Sequence, residues 1–267
     1  MCAMDNSLQH ELYQPSLKDT FVWKKHENLG YPTHFHAAME IYFILDGEME
    51  ANINGKTHHI VAGDIAIVNP FELHTYTKIT QAHVAVLIIG ETFLSDFQTE
   101  YEGFILPSHL TDKEFNQKIL AILNEVPASF NNNETLSILE KKAYVNFIFA
   151  KIISRYKLSF AHNLNNEITT IIRYIYDHYT EPLTLDTLSQ ALNYSRSSIS
   201  RLLSKYIQTD LRCFVNNLRV EQAELFLSNP EYAKVHIIDI ALNCGFDSIV
   251  TFYRAYKRRF GHNPRKN

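Results

Sequence analysis

The feature that most constrains this chain is an internal repeat within its last hundred residues. Leu188 matches Ile240 and Tyr194 matches Phe246 at an offset of 52 residues. After a one-residue insertion, Ile199 matches Phe252, Arg201 matches Arg254 and Lys205 matches Arg258 at an offset of 53. A period of this length marks a repeated supersecondary unit, and each copy reads as helix, tight turn, helix. In the first copy Thr184 is suited to cap a helix whose apolar face is Leu185, Leu188, Ala191 and Leu192. Asn193 falls at the corner and Ser195 caps the next helix. In the second, Ile237, Ile240 and Ala241 supply the apolar face, Gly245 the corner, and Asp247 or Ser248 the cap. Asn and Gly are the residue types that accept the left-handed backbone such a corner needs. Between the copies, Asp210 to Ser228 reads as one amphipathic helix with Phe214, Leu218, Ala223 and Leu227 inward.

Charge divides along the same line. Before a cut at Asn166 the chain carries 12 Lys+Arg against 19 Asp+Glu, net −7; after it, 13 against 10, net +3. Nine of the ten arginines lie after the cut, and the planar guanidinium fork suits phosphates and guanine edges. That composition points to nucleic acid, although a solvated surface can carry the same charge. In a helix-turn-helix unit the second helix enters the major groove and offers its outward residues to base edges. With Ile199, Leu202 and Leu203 inward, the first copy offers Arg196, Ser197, Ser200 and Arg201. With Phe252, Ala255 and Tyr256 inward, the second offers Ile249, Val250, Thr251 and Arg254. Arg201 and Arg254 suit guanine O6 and N7 or, alternatively, a phosphate, and Val250 or Thr251 suits a thymine methyl. Lys205, Lys257, Arg258 and Arg259 lie farther along and suit the phosphate backbone.

The first half follows a different period. From Phe21 to about Ile89, short alternating runs are separated by turn signals at Asp46-Gly47, Asn54-Gly55, Gly63-Asp64 and Asn69-Pro70, which predicts a small β barrel or sandwich. From Thr111 the spacing becomes helical, with one segment to Glu125 and another over Glu134 to Lys157. The second carries an apolar stripe of Leu136, Leu139, Ala143, Phe147 and Ala150, suited either to pairing with a second copy of the chain or to packing on its own barrel. Asn131 to Asn133 reads as a loop and 161–166 as a linker. The expected organisation is therefore 1–110 β domain, 111–160 helical dimerisation segment, 161–166 linker and 167–267 helical DNA-binding domain. The longest apolar run, Val84 to Ile89, is six residues, against roughly 20 for a membrane span. Residues 1–12 lack an export pattern, and Cys2, Cys213 and Cys244 show no paired spacing, so a cytoplasmic protein with reduced thiols is expected.

Residues 167–267 resemble the DNA-binding domain of the AraC/XylS family of transcription regulators. Ile237-Ile-Asp-Ile-Ala, Gly245-Phe246, Phe252, Arg254, Tyr256-Lys257, Gly261 and Pro264 follow the family signature. Departures are Gln208 where a Gly is usual, His236 in place of a Ser or Thr cap, and Ser189 in place of Ala. For Arg219 the resemblance implies a phosphate-facing role, whereas Glu221, Glu224 or another acidic neighbour suggests a salt bridge. The first half resembles the cupin-like sensor domain joined to such domains. Gly30-Tyr-Pro-Thr-His34-Phe-His36-Ala-Ala-Met-Glu40 with Gly47 is similar to the first cupin motif, and Gly63-Asp64 to Pro70 with His74 to the second.

The resemblance implies a two-domain fold: an N-terminal all-β cupin-like barrel with following helices, and a C-terminal all-α domain with two helix-turn-helix units. It implies a ligand pocket lined by His34, His36, Glu40, Tyr42, His74 and Tyr76, suited to a small polar effector such as a sugar. No cofactor is required, although His34, His36, Glu40 and His74 could hold a divalent metal. His-x-His on a strand places both imidazoles on one face. The function implied is a ligand-responsive, non-enzymatic regulator of sugar or small-metabolite genes. Its partners would be operator DNA, a second copy of the chain and, for an activator, RNA polymerase. The alternative is a metal-dependent cupin oxygenase or isomerase with an accessory helical domain, which would have no use for two capped helix-turn-helix units flanked by arginines.

Overall fold

β3 (Met39–Asp46) is buried at its first six positions, because it separates two cores. Met39, Ile41 and Phe43 face one apolar cluster, and Tyr42 and Ile44 face another, as the two-residue strand period requires. In this computed structural model, which describes residues 19–27, 30–126, 136–160 and 167–265, β3 lies at the centre of a five-stranded antiparallel sheet. Its neighbours are β1 (Phe21–Glu27), β8 (His83–Ile89), β6 (Ile65–Val68) and β10 (His109–Leu110), in the order β1-β8-β3-β6-β10. Opposite it stands a four-stranded sheet, β2 (Tyr31–His34), β7 (His74–Lys78), β4 (Glu48–Ile53) and β5 (Lys56–Val61), in the order β2-β7-β4-β5. Met49, Ala51, Ile53, Ile60 and Tyr76 from this second sheet close over Tyr42, Ile44, Ala66, Val68, Val84 and Val86 from the first. Glu40 shares the face of Tyr42 and Ile44 and so points between the sheets.

The outer face of the five-stranded sheet is covered by helices. α1 (Glu91–Glu100), not foreseen in the sequence, contributes Phe93, Leu94 and Phe97. α2 (Lys113–Asn124) begins at Asp112, whose side chain accepts from Phe115 N. α3 (Ile138–Arg155) begins with a capping box between Ser137 and Glu140. Val145, Ile148, Phe149 and Ile152 of α3 are buried in the outer cluster. Of the predicted stripe, Leu136 is half-buried and packs on this cluster, whereas Leu139, Ala143, Phe147 and Ala150 lie on the opposite face and are exposed, so packing on its own barrel accounts for only the first of the five. Two further short strands, β9 (Phe104–Ile105) and β11 (Ser159–Phe160), pair with each other. The expected loop at Asn131–Asn133 and linker at 161–166 lie outside the described residues.

The chain divides into one compact unit within 17–165 and another over 166–267. The second is entirely helical among its described residues. α4 (Glu167–His178) is followed by α5 (Leu185–Leu192), which opens on a Thr184–Thr187 capping box and ends at Asn193 with φ 56°. α6 (Arg196–Leu202) is capped by Ser195 and runs into a π-helical turn over Leu203–Ile207. That turn ends at Gln208, which takes the left-handed conformation (φ 55°) at the position where the family usually has Gly. α7 (Leu211–Ser228), capped by Asp210, is the connecting helix. α8 (Ile237–Asn243) and α9 (Ile249–Phe260) form the second helix-turn-helix. Their core is Ile240, Ala241, Cys244, Phe246, Phe252, Ala255 and Tyr256 against Val220, Ala223 and Leu227 of α7. The N-caps of α8 and α9 fall at His236 and Ser248, neither making a side-chain cap bond. Ser189 donates to Tyr194 O at 2.7 Å, tying α5 to the corner.

Candidate functional site

The two corners leave the expected faces of α6 and α9 in solvent. Arg196, Ser197, Ser200 and Arg201 are exposed on α6 over buried Ile199 and Leu202. On α9, Val250 and Arg254 are exposed over buried Phe252, Ala255 and Tyr256, while Ile249 and Thr251 are half-buried. Ile249 packs on the core of its own unit, a partial correction to its placement among outward residues. Arg196 pairs with Asp186 at 3.1 Å, both side chains exposed, so this ion pair is weak and easily exchanged for a phosphate. Lys257 and Arg258 are exposed near the end of α9. Lys205 is exposed on the π turn, with its Nζ 4.7 Å from the Tyr206 ring centroid. Tyr253, 37% exposed, also lies on the outward side of α9, three residues after Val250. Helical spacing alone could have placed it there.

Arg219 is not at this surface. It is buried on α7, donating from Nε to Tyr179 O at 2.6 Å and from Nη2 to Glu181 O at 2.7 Å. Its guanidinium lies 5.7 Å from the Phe246 ring centroid, and burial pushes its pKa down. The fork fastens the α4–α5 connection to α7, so neither a phosphate contact nor a salt bridge to Glu221 or Glu224 describes it. Arg259 also departs from expectation: it pairs with Glu221, while the Tyr256 hydroxyl donates to Glu224, together pinning α9 to α7.

In the β unit the four residues of the two cupin-like motifs meet. His34, His36, Glu40 and His74 are all buried, each offering one ligand atom, and these atoms all lie within 4.8 Å of one another. Strand alternation explains only part of this. His34 ends β2 and is in register with His74 of β7, their ring centroids 4.0 Å apart. His36 lies beyond the strand, and its carbonyl accepts from Phe71 N at 2.8 Å. The Phe71 segment is held by the buried Glu72 carboxylate, which accepts from Asn69 N and from the Asn54 side chain.

Backbone carbonyls orient two of the rings. His36 Nδ1 stands 2.9 Å from Ala38 O and His74 Nδ1 stands 2.8 Å from Glu72 O. A carbonyl only accepts, so each Nδ1 carries a proton and each Nε2 faces the centre. His36 Nε2 meets Glu40 Oε1 at 2.9 Å. Glu40 Oε2 and His74 Nε2 are 3.6 Å apart, and each is buried without a hydrogen-bond partner. Burial alone would raise the Glu40 carboxyl, but His36, with His74, holds it well below its ordinary value. Tyr76 Oη is likewise buried without a partner, and burial followed by Glu40 and Glu72 pushes its pKa up, keeping it a neutral O–H. Tyr42 stacks on Tyr76 at 4.1 Å within the apolar cluster, a wall of the cluster more than a contact of its own.

A buried polar cluster inside a β sandwich, in one chain with two basic helix-turn-helix units, is the architecture of a ligand-binding transcription regulator. The family model for the AraC-like ligand binding domain matches residues 24–137, and a helix-turn-helix domain model matches 188–266. The Msm operon regulatory protein of Streptococcus mutans is 25% identical over 237 residues, covering 85% of this chain and 82% of that protein. An HTH-type transcriptional regulator of Staphylococcus aureus is 25% identical over 233 residues, covering 85% of this chain but 31% of the relative. Among solved structures, ToxT from Vibrio cholerae is similar at 15% identity and TM-score 0.44, covering 91% of this chain and 96% of that one. The chain belongs to the AraC family of transcription regulators, with a ligand-binding domain and a DNA-binding domain. No described helix is long and apolar enough to cross a membrane.

Proposed function

We propose that this regulator reports on an ion-sized effector, a divalent transition metal held by His34, His36, Glu40 and His74. The supporting observation is the pair of inward polar atoms, Glu40 Oε2 and His74 Nε2, which face each other at 3.6 Å in a buried site without a hydrogen bond. Buried polar atoms are rarely unpaired, and a cation between them would satisfy both. Three imidazoles and a carboxylate are a donor set for divalent first-row metals, and the carbonyls on both Nδ1 atoms supply the outer contacts that such ligands use. The ion would supply fixed positive charge there, with no chemistry required of it. The convergence of donor atoms within 4.8 Å favours an ion over the sugar that the resemblance suggested. Occupancy alters operator affinity only to the extent that the ion binds two arrangements of the chain unequally.

The test uses the full chain and a fragment of the promoter beside its gene. Purified protein is titrated with Zn²⁺, Mn²⁺, Fe²⁺ and Ni²⁺, bound metal is counted, and operator affinity is measured with each ion and after chelation. One equivalent of metal and a chelator-reversible change in affinity are expected, both lost in Glu40→Gln. Affinity that ignores every metal but responds to sugars would replace the ion with a sugar.

We also propose that the chain works as a homodimer through α3. Leu139 is 77% and Phe147 49% exposed, while the opposite face of the same helix already serves the β unit's core. Leu139→Glu together with Phe147→Glu should therefore leave a folded chain that sediments as a monomer and binds a two-site operator about ten-fold more weakly or worse, as loss of the second linked contact requires. An unchanged dimer would locate the interface elsewhere.

A further inference from the structure

The two recognition helices are copies of one element, and the repeat allows their outward positions to be compared one by one. At an offset of 53, Arg196 corresponds to Ile249, Ser197 to Val250, Ser200 to Tyr253 and Arg201 to Arg254. The inward residues keep their character, Ile199 against Phe252 and Leu202 against Ala255, all buried. Outward, only the arginine is retained. Where α6 presents hydroxyls in solvent, α9 presents Val250 at 54% and Tyr253 at 37% exposure. Val250 takes no part in the core of the unit and Tyr253 meets it only edge-on at the Phe252 ring, 5.7 Å between centroids, while the equivalent serines of the first copy are exposed on the same scaffold.

Both residues lie on the face of α9 that carries Arg254, the face a helix-turn-helix turns toward the major groove. The one apolar group displayed on the floor of that groove is the thymine C5 methyl. We infer that Val250 and Tyr253 make α9 a reader of thymine methyls, and that the operator is chemically asymmetric. The segment under α6 is read through hydroxyls and arginines, and the segment under α9 carries one or two thymines beside the base met by Arg254. This rests on the family's DNA-binding function and concerns which sequence is bound, independently of any effector.

The experiment has two stages, both with the full chain. Bound sites are first selected from a pool of random duplexes, and each thymine of the selected site is then replaced by uracil, which removes only the methyl. Loss of a buried methyl contact weakens binding by about four-fold, the equivalent of roughly 0.8 kcal/mol. Uracil at one or two positions on the α9 side should weaken the wild type by about that factor and leave the α6 side unaffected. In Val250→Ala the same substitution at the Val250 position should cost nothing further, and Val250→Thr, which keeps one methyl, should retain part of the sensitivity. A selected site whose affinity ignores uracil throughout, or a Val250→Ala variant that keeps the full wild-type loss at every thymine, overturns the inference while leaving DNA binding intact. A chain that selects no sequence at all removes the DNA-binding reading itself, and the inference with it.

Discussion

Gly245→Ala should cost about 2–6 kcal/mol of stability in the DNA-binding unit and, near physiological temperature, most of its operator binding. Two effects add. Gly245 has φ +91°, where an L side chain is strained by about 1–3 kcal/mol. A Cβ there would also meet the Thr180 backbone, at 2.5 Å from its oxygen and 2.7 Å from its Cα, and overpacking of this kind costs about 1–3 kcal/mol. Backbone atoms cannot rotate aside, so α8 and α9 or the α4–α5 connection must shift. Domain stabilities are only about 5–15 kcal/mol. Denaturant unfolding followed by far-ultraviolet circular dichroism of the full chain should show the helical unit losing stability while the β unit's transition stays in place. The control is Asn193→Gly at the equivalent corner. Asn193 sits at φ 56° and ψ 30°, an ordinary left-handed conformation that Gly accepts at least as well, so this variant should remain within about 0.5 kcal/mol of wild type. A Gly245→Ala chain as stable as wild type would mean that the corner can re-form without Gly.

The contrast between these corners shows what a sequence does and does not disclose. Their equivalence is legible because apolar residues at spacings of three and four recur in both copies, and because Asn and Gly are types with a known backbone tolerance. The approach of Thr180 to Gly245 is not legible, since it joins segments 65 residues apart through backbone atoms, which leave no trace in side-chain identity. Arg219 departs from both of its sequence readings for the same reason. Its partners are the carbonyls of Tyr179 and Glu181, while the nearby acidic side chains of Glu221 and Glu224, which suggest a salt bridge, serve Arg259 and Tyr256 instead. In the β unit the alternation of β3 puts Glu40 on the face between the sheets. His36 reaches the same place by a route that alternation does not describe, a non-strand segment tied by its carbonyl to Phe71 N. The π turn at Leu203–Ile207 has no signature that the repeat could reveal, because α9 is a continuous α-helix through the matching positions.

Arg201→Ala and Arg254→Ala should each weaken specific operator binding by about 5- to 150-fold, corresponding to about 1–3 kcal/mol for a bidentate contact with guanine. The two losses should fall on different bases. Arg201 and Arg254 are both exposed on the outward faces of their helices, whereas Arg196 and Arg259 are engaged by Asp186 and Glu221. Units that enter successive major-groove turns meet bases about 34 Å apart, roughly 10 base pairs. Each variant, assayed against an operator carrying every single-base change, should become indifferent to the base at one position and keep wild-type discrimination about 10 base pairs away. The double variant should lose discrimination at both and approach the affinity of non-specific binding. Phosphate contacts behave differently: replacing Lys257 or Arg258 should weaken all sequences alike and flatten the dependence on salt by about one counterion each. Salt titration therefore separates the two roles. If Arg201→Ala or Arg254→Ala reduced the salt slope and left every base preference intact, that arginine would be a phosphate clamp, and base reading by that helix would fall to its shorter outward side chains.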